Sequence, residues 1–184
     1  MKRIFIAVKI NAEETLKSIF LSLRSSLTHD SIKWVEQENI HITLAFLGDT
    51  EESKIKIISS LLQENCSGSG EFEFILKGAG VFKNFREPRA IWIGIQSSDN
   101  LQRLNDRIKS GLKNKGFETD KRPFKPHLTI GRVKSLKPQT DLKNVIEKCA
   151  DIEIQKVRVK EVILFESILK PSGPLYKPIS VIKL

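Results

Sequence analysis

Two short stretches, His41-Ile42-Thr43-Leu44 and His127-Leu128-Thr129-Ile130, each place an imidazole two residues ahead of a hydroxyl, with aliphatic residues between and after. In a strand, successive side chains face opposite ways. Each histidine would then share a face with its threonine while the aliphatic pair turns into the core. Imidazole is the side chain that can accept or donate a proton near neutral pH, and two of them can do both within one turnover. A cyclic phosphodiester needs that division of labour: one group deprotonates the attacking water and the other protonates the departing sugar oxygen. Threonine hydroxyls, and an arginine, can donate to the phosphoryl oxygens as charge develops. The spacing therefore points to acid/base chemistry on a phosphate held between the two stretches.

The pattern is not casual. The chain has three histidines and seven threonines in 184 residues. A histidine placed at random would have a threonine two places on in about 4% of cases, so two hits among three is roughly a 0.5% accident. The bland alternative, a pair of ordinary edge-strand histidines, suits either stretch alone better than it suits both. Metal catalysis fits less well, because a catalytic zinc usually takes three protein ligands and only His29 remains. His29 sits at an apparent helix end, and neither CxxC nor HExxH spacing occurs. Neither Cys66 nor Cys149 has a motif that would support Cys–His nucleophilic catalysis. No metal and no cofactor is expected.

Neighbouring charges suggest different roles for the two imidazoles. From Lys121 to Lys137 six basic residues occur without an acid, and His127 lies inside that run. Positive surroundings favour a neutral imidazole and hence a general base. His41 follows Glu36 and Glu38, which would favour the protonated, acid form if they approach it. Arg132 is the best arginine candidate, but strand parity turns it away from His127 and Thr129 unless a bulge at Gly131 re-aims it. Phe124, Phe82, Phe85 and Trp34 are candidates for stacking on a base.

Elements must bring these residues together. Alternation over residues 2–10 predicts a strand. Asn11 with Glu14 then predicts a capped helix carrying Leu16, Ile19, Phe20, Leu23 and Leu27 on one stripe. A loop containing Trp34 leads to the first histidine strand at about 40–47, ending at Gly48. A helix follows from Asp49 or Thr50, then a Ser/Gly turn at 67–70, a strand over 71–76, a glycine-bearing loop over 78–88 and a strand over 90–95. A helix over about 99–115 stops at Gly116, and the second histidine strand spans about 127–134. A short helix after Pro138 and strands near 152–159, 160–166 and 178–183 complete the chain. Ile4-Phe5-Ile6-Ala7-Val8 resembles Ile91-Trp92-Ile93-Gly94-Ile95. Both halves, roughly 1–80 and 88–170, read strand, helix, histidine strand, helix, strand. An internal duplication folded as two lobes about a pseudo-twofold axis would set the histidine strands face to face. To serve one phosphate, the imidazoles must lie within about 12 Å of each other, since each needs hydrogen-bond reach.

The whole-chain numbers are those of a soluble globular protein. With 40% hydrophobic and 29% charged residues, 184 residues can bury the core of one domain. The apolar start is too short for a signal-peptide core and no run approaches a membrane span, so a cytoplasmic protein without membrane association is expected. Two isolated cysteines fit a reduced compartment, as small buried hydrophobes. A net charge of +9 favours anionic partners such as RNA.

Taken together, "HITLAFLG" and "PHLTIGR" resemble the paired His-x-Thr-x motifs of the 2H phosphoesterases, in particular the RNA 2′,3′-cyclic phosphodiesterase branch, also called 2′-5′ RNA ligase. The resemblance extends through "RIFIAVKI", "KWVEQENIHITLAFLG", "AGVFKNFREPRAIWIGI", "FKPHLTIGRV" and "ILFESILKPSGPLYKPI", nearly the whole chain. It implies an α+β fold of two lobes, with antiparallel-rich sheets flanked by helices and the active site in the cleft between them. It implies metal-independent hydrolysis of RNA or nucleoside 2′,3′-cyclic phosphate ends to 2′-phosphomonoesters. Separately, a monomer is expected, though the sequence itself leaves the oligomeric state open. His41 would be the proton donor and His127 the proton acceptor. Thr43 and Thr129 would hold phosphate, and Arg132 is the arginine commonly found after the second motif. Ligation or opening of 2′-5′ RNA linkages at the same site, as in tRNA processing, is the nearest alternative. A non-catalytic RNA- or nucleotide-binding module is the other, although pure binding would not require two proton-transfer groups.

Overall fold

A computed structural model describes residues 1–184 apart from 121 and 172, so Lys121 of the basic run lies outside the described residues. The elements run β1 (Lys2–Lys9), α1 (Glu14–Ser26), β2 (Ser31–Trp34), a 3-10 turn (Gln37–Asn39), β3 (His41–Thr50), α2 (Glu52–Cys66), β4 (Phe72–Phe82), β5 (Ala90–Gln96), α3 (Asp99–Asn114), β6 (His127–Ser135), α4 (Leu142–Glu147), β7 (Glu153–Val159), β8 (Glu161–Lys170) and β9 (Gly173–Lys183). They form two sheets, ordered β3-β1-β8-β9 and β2-β6-β5-β4-β7. Every pairing is antiparallel. The α+β expectation holds.

The sheets do not follow the two sequence halves. β4, at the end of the first half, lies in the second sheet, and β8, at the end of the second half, lies in the first. In both sheets the first strand of a half sits beside its histidine strand: β1 pairs with β3, and β5 with β6. Each of those first strands takes its other neighbour from the opposite half.

One apolar core links both sheets and the helices. β1 is buried on both faces, which is why it reads as a near-continuous apolar run. Ile4, Ile6 and Val8 join the main core, while Phe5 and Ala7 join a smaller cluster with Ile163, Phe165 and Tyr176. α3 presents Leu101, Leu104, Ile108 and Leu112 inward, as its period requires. Its end has the bonding of a Schellman motif: Phe117 N donates to Leu112 O at 2.9 Å and Gly116 N to Lys113 O at 2.9 Å, with Gly116 at φ 77°. Both cysteines are buried and free. No helix among the described residues is long and apolar enough to cross a membrane.

Several expected boundaries move. The expected cap of α1, Asn11 with Glu14, does not form, and the cap position Glu13 makes no side-chain cap bond. Instead Gln155 on β7 receives the Glu13 N–H at 3.0 Å and donates to Asn11 O at 2.9 Å, a long-range substitute that local spacing does not reveal. β3 runs past the expected stop at Gly48 to Thr50, with Gly48 at φ 68°, and α2 starts at Glu52 rather than at Asp49 or Thr50. β4 absorbs half of the expected 78–88 loop. Residues 31–34, expected as loop, form β2, because they find an edge on β6.

Candidate active site between the two sheets

The two histidines open their strands, β3 and β6, in the same way. Ile42 and Leu44, like Leu128 and Ile130, point into the core, while His41, Thr43, His127 and Thr129 all line one cavity of about 940 Å³. The expected alternation is observed. The first sheet contributes Arg3, Phe5, Phe46 and Tyr176 to the same cavity, and the second contributes Lys33, Trp34, Arg132 and Lys134. The site therefore lies in the cleft where the sheets meet.

Both imidazoles are held by the same device. His41 Nδ1 lies 2.7 Å from Asn39 O, and His127 Nδ1 lies 2.6 Å from Lys125 O. A carbonyl can only accept, so in each ring Nδ1 carries the hydrogen and Nε2 is the nitrogen left for chemistry. Aromatic rings seat the imidazoles. His41 packs against Phe5, with centroids 4.9 Å apart, and Tyr176 meets its ring edge-on at 5.1 Å. His127 meets Phe82 edge-on at 4.6 Å, and Trp92 stands behind Phe82. Trp92 lies over Gly80, where a Cβ would come within 2.8 Å of three ring atoms.

A bulge follows each motif at the same position. In the β1–β3 ladder Ala7 faces Thr43 and Ile6 faces Ala45, so Leu44 is the extra residue. In the β5–β6 ladder Trp92 faces Thr129 and Ile91 faces Gly131, so Ile130 is the extra residue. An extra residue reverses the alternation beyond it. Phe46 and Arg132 are thereby turned into the cavity that His41 and His127 face. The expectation for Arg132 rested on such a bulge, and the bulge is present one residue earlier than anticipated. Gly131 is the residue that allows Trp34 to close over this strand, since a Cβ there would sit 3.1 Å from the indole.

Each bulge frees a carbonyl, and the two are satisfied differently. Ile130 O accepts the Val35 N–H at 2.9 Å, just beyond β2. Leu44 O accepts from Asn105 Nδ2 on α3 at 2.6 Å. Asn105 is fully buried on the apolar stripe of its helix, and its Oδ1 has no partner among the described residues.

Electrostatics corrects the expected asymmetry. Burial lowers the His41 pKa most, and the charges of Arg132 and His127 lower it further against the hydrogen bond to Asn39. Neither Glu36 nor Glu38 is among the causes, although both line the cavity. Burial also lowers His127, with Arg132 adding to it against the bond to Lys125. Among the described residues of the basic run, Arg132 alone acts on His127; Arg122 is exposed and bound to Asp120. Local charge thus pushes both imidazoles towards neutrality rather than apart.

Of the stacking candidates, Trp34 lines the cavity and Phe82 seats His127, while Phe85 and Phe124 do neither. Sequence reasoning did not single out Phe5, Tyr176, Phe46, Arg3 or Asn105 for the site. Asn105 alone carried a visible signal, as a polar residue on an otherwise apolar helical stripe. Arg3 lies over the Phe46 ring, 5.0 Å from its centroid, and the pair forms one wall. His29 lies in the turn after α1 and does not line the cavity. Among the described residues no group of three or more His, Cys, Asp or Glu side chains is gathered.

Comparison with known proteins places the chain in a family. A family model described as the 2′-5′ RNA ligase superfamily matches residues 15–168. A protein of Methanothermobacter thermautotrophicus named RNA 2′,3′-cyclic phosphodiesterase is 34% identical over 99% of this chain and 98% of its own. A protein of the same name from Methanocaldococcus jannaschii is 37% identical over 96% of this chain and 98% of its own. In fold, the chain is similar to TT0787 of Thermus thermophilus, with a TM-score of 0.81, 24% identity and coverage of 99% and 97% of the two chains. It is also similar to E. coli LigT complexed with 3′-AMP, with a TM-score of 0.77, 24% identity and coverage of 100% and 98%.

Proposed function

The chain belongs to the 2′-5′ RNA ligase superfamily, and on that premise we propose that it hydrolyses RNA 2′,3′-cyclic phosphate ends to 2′-phosphomonoesters by two-histidine acid/base catalysis. One observation carries the reading: two imidazoles, each with Nδ1–H committed to a backbone carbonyl, share one cavity with two threonine hydroxyls and an arginine. A pure binding pocket has no need of two such groups.

In this mechanism neutral His127 takes a proton from water through Nε2 as the water oxygen attacks phosphorus. Protonated His41 gives its Nε2 proton to the 3′ oxygen as the P–O3′ bond breaks, leaving a 3′-hydroxyl and a 2′-phosphate. Thr43, Thr129 and Arg132 donate to the non-bridging oxygens, where negative charge concentrates in the transition state. The anionic substrate supports this assignment, because a phosphate beside His41 opposes the burial that depresses its pKa. The resemblance to the family's paired motifs also supports His41 as donor and His127 as acceptor.

The test is incubation with a nucleoside 2′,3′-cyclic phosphate in EDTA, resolving 2′- from 3′-phosphate products. A chelator-resistant 2′-phosphate is expected. A 3′-phosphate, or turnover abolished by EDTA, would overturn the mechanism. Adding RNA with a 5′-hydroxyl end to the same mixture reads ligation directly.

A further inference from the structure

Beyond Arg132 the cleft carries charge that the reaction does not use. Lys33 on β2 stands directly opposite Arg132 on β6, and Lys134 follows two residues later on the same face. Like charges directly opposite across antiparallel strands are destabilising. Among the described residues none of the three has a carboxylate within ion-pairing distance. All three line the cavity that holds the histidines, where the described residues present five cationic side chains (Arg3, Lys33, Arg132, Lys134, Lys170) against two acidic ones, Glu36 and Glu38.

Along its strand Lys134 stands apart from the reacting centre, and Lys33 stands across from Arg132. Arg132 acts on both imidazoles, whereas neither lysine is among the causes that shift them. Lys134 lies five residues past Thr129, one of them taken up by the bulge, so roughly 13 Å along the strand at its usual rise. A single cyclic phosphate between the histidines leaves Lys134, at that distance, without an anion, while Lys33 faces Arg132 with no carboxylate in ion-pairing distance among the described residues. The cavity, at about 940 Å³, is at the upper end of the usual small-ligand range of roughly 300–1,000 Å³.

We propose that Lys33 and Lys134 form a second phosphate subsite, which holds the phosphodiester on the 5′ side of the terminal nucleoside. Oligonucleotide ends are then better substrates than cyclic mononucleotides. The inference rests on the cyclic-phosphate reading above and names the substrate class for that site. A lysine on an edge strand also deters edge-to-edge pairing, but that role carries no substrate dependence.

The test compares kcat/KM for three substrates: a nucleoside 2′,3′-cyclic phosphate, a dinucleotide ending in a 2′,3′-cyclic phosphate, and the same dinucleotide with an uncharged methylphosphonate linkage. The wild type should favour the phosphodiester dinucleotide over both others by roughly tenfold, the value of one charge-assisted contact. The double variant Lys33→Gln/Lys134→Gln should lose that preference, read as the ratio of kcat/KM for the two dinucleotides, in which any general effect on turnover cancels. Equal rates for the two dinucleotides, or a preference that survives in the variant, would overturn the subsite. Failure to turn over any of the three would overturn the activity instead. The subsite would then be decided by calorimetric binding of the two dinucleotides to both proteins. Tighter binding of the phosphodiester form by the wild type alone supports it, and equal binding refutes it.

Discussion

Asn105, fully buried on α3, donates from Nδ2 to the carbonyl of Leu44 at 2.6 Å, and Leu44 is the bulge residue of the strand that begins with His41. A helix from the second half of the chain thus fixes the bend that separates Thr43 from Phe46. Replacing Asn105 by Leu leaves a buried carbonyl unpaired, a loss of about 1–3 kcal/mol. The thermal midpoint of Asn105→Leu should fall accordingly, and unchanged stability would mean that the bond does not anchor the bulge. Asn105→Asp should be worse near neutral pH, because a carboxylate meets a carbonyl. Its buried carboxyl pKa would be raised, so stability is present below the unfolded value of about 3.9 and is lost as pH rises through the folded one. Denaturation of Asn105→Asp at several pH values reads that sign.

Removing either imidazole should stop proton transfer without unfolding the protein. His41→Ala and His127→Ala should each lower kcat by roughly 10²- to 10⁴-fold, with circular dichroism unchanged. A single-alanine variant at full activity would rule out the two-histidine mechanism.

The depressed histidines make both stability and rate depend on pH. Each folded imidazole binds its proton less readily than the unfolded one. The stability from these groups is therefore present above about pH 6.5 and falls as pH drops from there through the lowered values. Urea midpoints at about pH 7.5 and about pH 5.5, either side of the unfolded value, test this. A His41→Asn/His127→Asn variant should show a weaker dependence. In the free enzyme, protonated His41 becomes scarce above its lowered pKa, which places the alkaline limb of kcat/KM below about pH 6.5. Arg132→Gln removes one cause of lowering from both rings, and should move the whole profile towards higher pH while reducing its height.

Gly80 is required by Trp92. A Cβ at residue 80 would fall inside van der Waals distance of three Trp92 ring atoms, and Trp92 backs the Phe82 ring that meets His127. Gly80→Ala should destabilise the protein by about 1–3 kcal/mol through overpacking. It should also lower kcat more than a surface substitution of equal stability cost would. A wild-type rate would show that the Phe82 contact does not position the imidazole.

What the sequence disclosed follows from how local each determinant is. The histidine strands, the face shared by His and Thr, and the Schellman end of α3 depend on neighbours within a few residues, and all are observed. Gln155 standing in for the Asn11 cap, and β2 finding an edge on β6, depend on partners more than 95 residues away. No local rule reaches them. Arg132 lies between these cases: alternation pointed it outward, and one extra residue, Ile130, turned it in. The charge argument for the two imidazoles failed for the same reason as the cap. Glu36 and Glu38 are close to His41 in sequence, yet burial lowers its pKa most, against the bond to Asn39, and the charge that adds to the lowering comes from the distant Arg132 and His127.

The crossing of β4 and β8 between the sheets also sets an order of assembly. Every strand of the sheet that carries His127 has left the ribosome once Val159 has been made and has cleared the exit tunnel. The sheet that carries His41 lacks β8 and β9 in the chain made up to that residue, and with them Tyr176. β1 must wait more than 150 residues for its second partner, a pairing whose loop-closure cost slows folding. During synthesis, His127 stands in a complete set of strands while His41 stands in an unfinished sheet. The His41 sheet is complete only when the last hairpin, β8–β9, closes beside β1.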